Sequence, residues 1–141
     1  MARWLGAALV LIASGVFLLP NGSAGPKKSS ELAKIMADKL KNSQILLEGL
    51  ALGDFDKITR SAEKLIQLSK TAEWMVFKTP RYEVHTNEFR RAAEVILQKA
   101  QAKNLDGVAY GYVDLTMTCV RCHAYVREAR DTSTAPPIAR R

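Results

Sequence analysis

Apolar residues recur at three- and four-residue spacing in four separate segments of the chain, a period that places them on one face of an α-helix. The first segment follows Ser30, a good N-cap residue, and ends at Gly53. The second begins at Asp54, which can cap it, and keeps the same period through Ala72. Because so few residues separate these two segments, they predict a helical hairpin with a very short turn.

The stretch WMVFKTPRYEVHTN interrupts the period between the second and third segments. Proline lacks a backbone donor and disfavours the helical conformation of the residue before it, so Thr79-Pro80 indicates a connecting loop. Thr86 or Asn87 is then the expected N-cap of the third helix. The fourth helix is expected to open at Asp106-Gly107 and to end near Asp131.

Four such helices predict an all-α fold, an antiparallel up-down-up-down four-helix bundle. In this topology the start of helix 1, the end of helix 2, the start of helix 3 and the end of helix 4 share one end of the bundle. Side chains that are far apart in the sequence become neighbours there, namely Met36, Trp74, Phe77, Tyr82, His85 and His123.

The N-terminus has the organisation of a secretory signal. Arg3 supplies a positive charge, and the apolar stretch Leu5–Leu19 is shorter than the ~20 residues needed to span a bilayer comfortably. Small residues precede an expected cleavage site after Ala24. We therefore expect residues 1–24 to direct export, most simply to a bacterial periplasm, with an uncleaved membrane anchor as the rival interpretation.

The remainder has the composition of one globular domain, residues 25–131, followed by a polar, Pro-rich tail, residues 132–141, that we expect to be disordered. The formal net charge of the chain is +7, without a block of Lys and Arg interleaved with aromatic residues, so we expect no nucleic-acid binding. A positive surface favours solubility and can attract an acidic partner protein. No combination of acid, base and nucleophile is recognisable, and we expect no enzymatic activity.

Both cysteines, Cys119 and Cys122, lie in the sequence CVRCH on the fourth predicted helix. A disulfide between them is allowed in an exported protein but closes too small a loop to stabilise a fold much. A structural zinc site needs four ligands, and the chain has only two cysteines and two histidines. A redox-active dithiol normally lies at the N-terminus of a helix in a βαβ unit. Two core cysteines beside a chance histidine remain a fourth interpretation.

Covalent haem attachment accounts for CVRCH best. Cysteines three residues apart lie on one side of a helix and can each bond a vinyl group, while the adjacent His123 can ligate the iron. We therefore expect one haem c, bound through Cys119 and Cys122, with His123 as the proximal ligand. Arg121 and Arg127 flank the motif and are candidate contacts of the haem propionates.

The opposite iron ligand is expected from helix 1. His123 lies about 12 Å before Asp131 along its helix, and Met36 lies about 9 Å after Ser30, at roughly 1.5 Å per residue. Met36 therefore has a comparable height on the core-facing stripe, and we expect it to be the distal ligand. A methionine that only fills core space or lies against the porphyrin is the alternative, and His85, in the predicted middle loop, is a second candidate ligand.

The helical period, Met36 early in helix 1, and CVRCH late in helix 4 followed by Arg127 resemble the class II c-type cytochromes, cytochrome c-prime and its low-spin, methionine-ligated relatives. The resemblance covers about residues 30–130. It implies the same thioether bonds and proximal histidine, and a basic residue at Arg127. Family members usually have an aromatic residue three positions after the histidine, where this chain has Val126.

The resemblance also divides the possible functions by the distal side of the iron. An apolar distal residue leaves five-coordinate iron that binds nitric oxide or carbon monoxide, whereas methionine closes the site. Met36 favours the low-spin branch, which implies a carrier of single electrons between redox partner proteins, with a gas-binding protein as the alternative. Some relatives form homodimers through helices 1 and 2, so a homodimer is possible here.

Overall fold

The computed structural model of the chain describes residues 26–73 and 79–134. Across these residues the fold consists of four α-helices and contains no β-strand, which confirms the predicted all-α class; the helices are α1 (Pro26–Leu52), α2 (Phe55–Glu73), α3 (Pro80–Gln101) and α4 (Leu105–Thr134). None of these helices is long and apolar enough to cross a membrane. The predicted signal, Trp74 and Phe77 lie outside the described residues.

The helices pack in chain order as an up-down bundle, which confirms the predicted architecture. Each helix packs closely against the next one in the sequence, and among neighbouring helices α1 and α4 have the weakest contact. At one end the two short turns approach each other, with the Lys103 ammonium 5.0 Å from the centroid of the Phe55 ring. At the other end α3 begins beside the end of α4, where the Thr79 and Tyr125 hydroxyls share a 2.8 Å hydrogen bond.

The turn between α1 and α2 forms as predicted at Gly53 and Asp54. Gly53 has a φ of 66°, a left-handed conformation that a residue without a Cβ adopts at low cost. Asp54 then caps α2, because its Oδ1 accepts a 2.9 Å hydrogen bond from the backbone N–H of Lys57. The hairpin thereby needs only two residues between helices.

The start of α3 differs from the prediction. Residues 80–87, expected in a loop, form the first turns of the helix, so the expectation that Thr86 or Asn87 caps it was wrong. Thr79 is the N-cap and its Oγ1 accepts a 3.2 Å hydrogen bond from the N–H of Tyr82. Pro80 occupies a first-turn position, where a missing backbone donor costs nothing. The proline marks a boundary, but it begins a helix.

Other helix boundaries differ less. The α1 helix begins at Pro26, before the expected cap Ser30, and α4 continues to Thr134, past the expected end at Asp131. At the start of α4 the capping side chain is Asn104, whose Oδ1 accepts a 2.8 Å hydrogen bond from the Gly107 N–H. In each case the helix is slightly longer than the apolar period alone indicates.

The core occupies the half of the bundle near the two short turns. Side chains from all four helices meet there, and those with no exposed surface include Leu46, Ile58, Leu65, Ile96 and Val108. A second, smaller cluster of Ile35 and Leu68 lies further along α1 and α2, with Met36 partly buried against it. The bundle is therefore densely packed at the turn end, and Met36 lies beyond that core.

Two positions on α4 that differ in burial should differ in how much a substitution lowers the free energy of unfolding. Leu115 is 1% exposed and Val113 is 62% exposed. Replacing Leu115 with Ala should lower the free energy of unfolding by roughly 2–5 kcal/mol because it leaves a cavity. The control Val113→Ala should change it by no more than about 0.5 kcal/mol. Urea denaturation measures both, and equal losses would contradict this assignment of the core.

Candidate functional site

A cleft of about 750 Å³ opens on the side of the bundle between α1 and α4, with α3 as its third wall. Its volume lies within the range of about 300–1,000 Å³ that is typical of small-molecule and cofactor sites. No residue of α2 is among those lining it. The cleft therefore lies where neighbouring helices contact each other least.

The wall formed by α4 carries the CVRCH sequence. Cys119 and Cys122 lie one helical turn apart, are both half-buried and both line the cleft. Each is a free thiol. His123 also lines the cleft but is more exposed, at the rim next to Cys122. The predicted continuous helix thus directs both sulfur atoms into one cavity with the histidine beside them.

Burial and a nearby charge act in opposite directions on the two thiols. Burial raises the pKa of both Cys119 and Cys122, because the charged thiolate loses its hydration. The Lys39 ammonium, reaching across from α1, lowers the pKa of each thiol in part. The thiol form is therefore favoured at neutral pH, and Lys39 is near enough to both sulfur atoms to influence their ionisation.

Met36 lines the wall formed by α1. Its side chain is half-buried beside Ile35 and Leu68 and contributes to the same cleft as Cys122 and His123. The sequence-based comparison of heights along the two helices predicted that Met36 and His123 would be neighbours, and the structure brings both to one cavity.

His85 lies on the third wall, which α3 forms, and its position differs from the expected one. This residue lies on α3 rather than in a loop, and its side chain is only 13% exposed. Its ring packs against that of Tyr125, with 5.4 Å between centroids and a tilt of 41°. Its Nδ1 lies 3.5 Å from Glu88 Oε2, yet neither ring nitrogen has a hydrogen-bond partner among the described residues. His85 is a buried polar group on the wall of the cleft.

The charged side chains that line the cleft are all basic. They are Lys39, Arg127 and Arg130, and no Asp or Glu of the described residues lines it. Arg121 lies elsewhere, with its Nε 3.7 Å from Glu88 Oε2 and its Nη2 3.9 Å from Asp114 Oδ1. Of the two arginines predicted as propionate contacts, the structure brings only Arg127 to the cleft.

Sequence reasoning missed two residues of the cleft. Neither Phe89 nor Lys39 was predicted as a site residue, yet both line the cavity, and the Lys39 Nζ lies 4.2 Å from the centroid of the Phe89 ring. A signal was present in the sequence, because Lys39 falls on the same helical stripe as Met36 and Leu46. A charged residue on a core-facing stripe indicates a special environment.

Within residues 26–73 and 79–134, no group of three or more His, Cys, Asp or Glu side chains is arranged to hold a metal ion by itself. What the cleft offers is a set of separated groups: two thiols and the His123 imidazole from α4, the His85 imidazole from α3, and the Met36 thioether sulfur from α1. Groups spaced in this way can contact different parts of one large ligand.

The electrostatic effect of Lys39 on the thiols predicts a change in their reactivity. Because Lys39 lowers both thiol pKa values, Lys39→Gln should raise them further and leave less thiolate at pH 8. We expect slower alkylation of the reduced, cofactor-free chain by iodoacetamide. Lys41→Gln, an exposed position on the same helix, is the matched control. Equal rates in the two variants would contradict the proximity of Lys39 to the thiols.

Comparison of the chain with protein-family models, with curated proteins and with solved structures finds no match in any of the three. The chain is a four-helix all-α domain, and its function is inferred from the geometry and chemistry of the cleft.

Proposed function

We propose that the protein is an exported monohaem c-type cytochrome of the class II kind that carries single electrons between redox partners. The haem is bound through Cys119 and Cys122, and its iron is ligated by His123 and Met36. The observation that carries this proposal is the cleft, because one cavity is lined by both cysteines and the adjacent histidine from α4 and by a methionine from α1.

The cleft fits a haem in size, polarity and charge. A porphyrin is broad and apolar and carries two carboxylates, so it needs apolar walls together with cations. Apolar side chains of three helices line the cleft, among them Leu32, Leu40, Phe89 and Val126. The basic residues Arg127 and Arg130 line it, and guanidinium groups suit charge-assisted bonds to propionates.

The two thiols can form the covalent attachment. Each S–H would add across a vinyl C=C bond, with the sulfur bonding to one carbon and the hydrogen to the other, so that nothing is lost. The one-turn separation of Cys119 and Cys122 would let both sulfur atoms reach one ring. Attachment at two points would hold the ring against α4, with His123, the residue after Cys122, available to ligate the iron.

The two expected iron ligands approach from different helices. His123 belongs to the attachment helix α4, whereas Met36 lies on α1 across the cleft. A bond from each helix to one iron would link α1 to α4, the neighbouring helices that otherwise have the weakest contact. Ligation would therefore contribute to the stability of the bundle, because the bound state favours the folded chain.

When bound, the haem supplies the one-electron chemistry, and the chain sets the conditions for it. Phe89, which is buried, and other apolar side chains of the cleft would give the ring apolar surroundings. An open depression on the outer side of α4 is lined by Cys119, Val120, His123 and Arg127, so an edge of a ring bonded to Cys119 would lie near the protein surface. Electrons can then pass over a short distance to a docked partner, and the net charge of +7 favours an acidic one.

Covalent attachment predicts a mass increase. The mature chain, expressed with a haem-attachment system, should be heavier by one haem and should keep the haem after denaturation and extraction with acidified acetone. The double variant Cys119→Ala/Cys122→Ala should release it. Mass spectrometry of the denatured protein measures both. A mature chain that carries no covalent haem would refute the proposal and favour a haem-free dithiol protein.

Ligation by Met36 predicts a change in spin state. The wild-type protein should show sharp low-spin bands when reduced and should not respond to carbon monoxide. Met36→Ala opens the sixth position, so its spectrum should become high-spin and shift on addition of carbon monoxide. The matched variant His85→Ala, which removes the other candidate from the cleft wall, should keep the low-spin spectrum.

The same spectra distinguish the remaining possibilities. Conversion in His85→Ala, with Met36→Ala unchanged, would assign the sixth ligand to His85. A wild-type protein that is already high-spin and binds carbon monoxide would replace the electron carrier with a gas-binding cytochrome.

A further inference from the structure

Lys39 is a charged side chain held inside the cleft. It lies three residues after Met36 on α1, is half-buried, and places its Nζ 4.2 Å from the centroid of the Phe89 ring on α3. The neighbouring lysines of the same helix, Lys34 and Lys41, are exposed. Lys39 is therefore the lysine through which α1 brings a positive charge into the cavity.

The surroundings of Lys39 provide only partial compensation for its charge. Burial lowers the pKa of the ammonium. No Asp or Glu of the described residues lines the cleft, and the ammonium lies over the negative face of the Phe89 ring, which is a favourable contact. Buried charges are usually paired, so a lysine kept here points to an effect on whatever occupies the cavity.

We propose that Lys39 raises the reduction potential of the haem bound in this cleft, by holding a fixed positive charge near the edge of the ring that is attached to Cys119 and Cys122. This inference rests on the proposed haem site and goes beyond it, since it assigns control of the potential to a residue that neither ligates iron nor attaches the ring.

The physical basis is the charge of the iron site. Reduction adds one electron to ferric iron and makes the site less positive, so a nearby cation repels the oxidised state more than the reduced state. No bond forms or breaks, Lys39 keeps its proton, and the electron comes from the external donor. The effect is stronger than at the surface, because Lys39 is partly shielded from water.

The position of Lys39 makes this effect specific. Lys39 lines the same cleft as Cys119 and Cys122, the two residues expected to bond the ring, and its ammonium is held there against Phe89. It also lies on the same helix as the expected distal ligand, Met36. Its charge would thus come from the α1 wall, whereas that of Arg127 would come from α4, the helix of the expected proximal histidine.

The test is a potentiometric titration of the full-length, haem-loaded protein at pH 7, followed by its visible spectrum with dithionite as reductant. Lys39→Gln removes the charge and should lower the equilibrium constant for reduction about tenfold or more, equivalent to about 59 mV for a one-electron couple. Lys39→Arg keeps the charge and should restore most of the potential. Lys41→Gln removes a charge from the exposed face of α1 and should change the potential much less, because solvent and salt screen it.

Two results would overturn the inference. One is an unchanged potential in Lys39→Gln while its low-spin bands remain, and the other is an equal fall in Lys41→Gln, which would make the effect one of net charge alone. If Lys39→Gln does not fold, Lys39→Leu is titrated under the same criteria. Failure of the proposed function looks different, because the wild-type protein would then carry no covalent haem at all.

Discussion

The uneven packing of the four helices is the constraint on which the other features depend. Large aliphatic side chains fill the turn end of the bundle completely, with Leu46, Ile58, Leu65 and Ile96 all fully buried. Beyond this core, α1 and α4 make few contacts with each other, and a cleft lies between them. Stability is thus supplied by one half of the molecule, so the other half can hold side chains that a close-packed core would not accept, including a lysine and a histidine.

Much of the fold was predictable because it depends on local patterns. Four apolar stripes of helical period specify four helices, and Gly53 with Asp54 specifies a short turn through backbone conformation and capping. The start of α3 was not predictable in this way, since a Thr-Pro pair is compatible with a break and also with a helix start. The contact that supports the helix start, from Thr79 to Tyr125, joins residues far apart in the sequence.

The residues of the candidate site also differ in how far the sequence alone predicts their positions. Cys119, Cys122 and His123 are close together in the sequence on a stretch of helical period, so their spacing was enough to predict that they lie together on one helix. The approach of Met36 could be estimated by counting residues along two antiparallel helices, because a helix has a fixed rise per residue. The position of Lys39 against Phe89 depends on where the bundle places α1 relative to α3. The sequence indicates this position only indirectly, through a charged residue on an otherwise apolar stripe.

The weak contact between α1 and α4 also bears on how a large rigid molecule can enter the bundle. Each helix packs against the next from α1 to α4, and the contact between α1 and α4 is the weakest of those between neighbouring helices. Separating these two helices beside the cleft would break few direct contacts between them, whereas the aliphatic core, to which all four helices contribute, lies toward the turn end. Entry of a large ligand between α1 and α4 would therefore disturb fewer interhelical contacts than entry between any other neighbouring pair of helices.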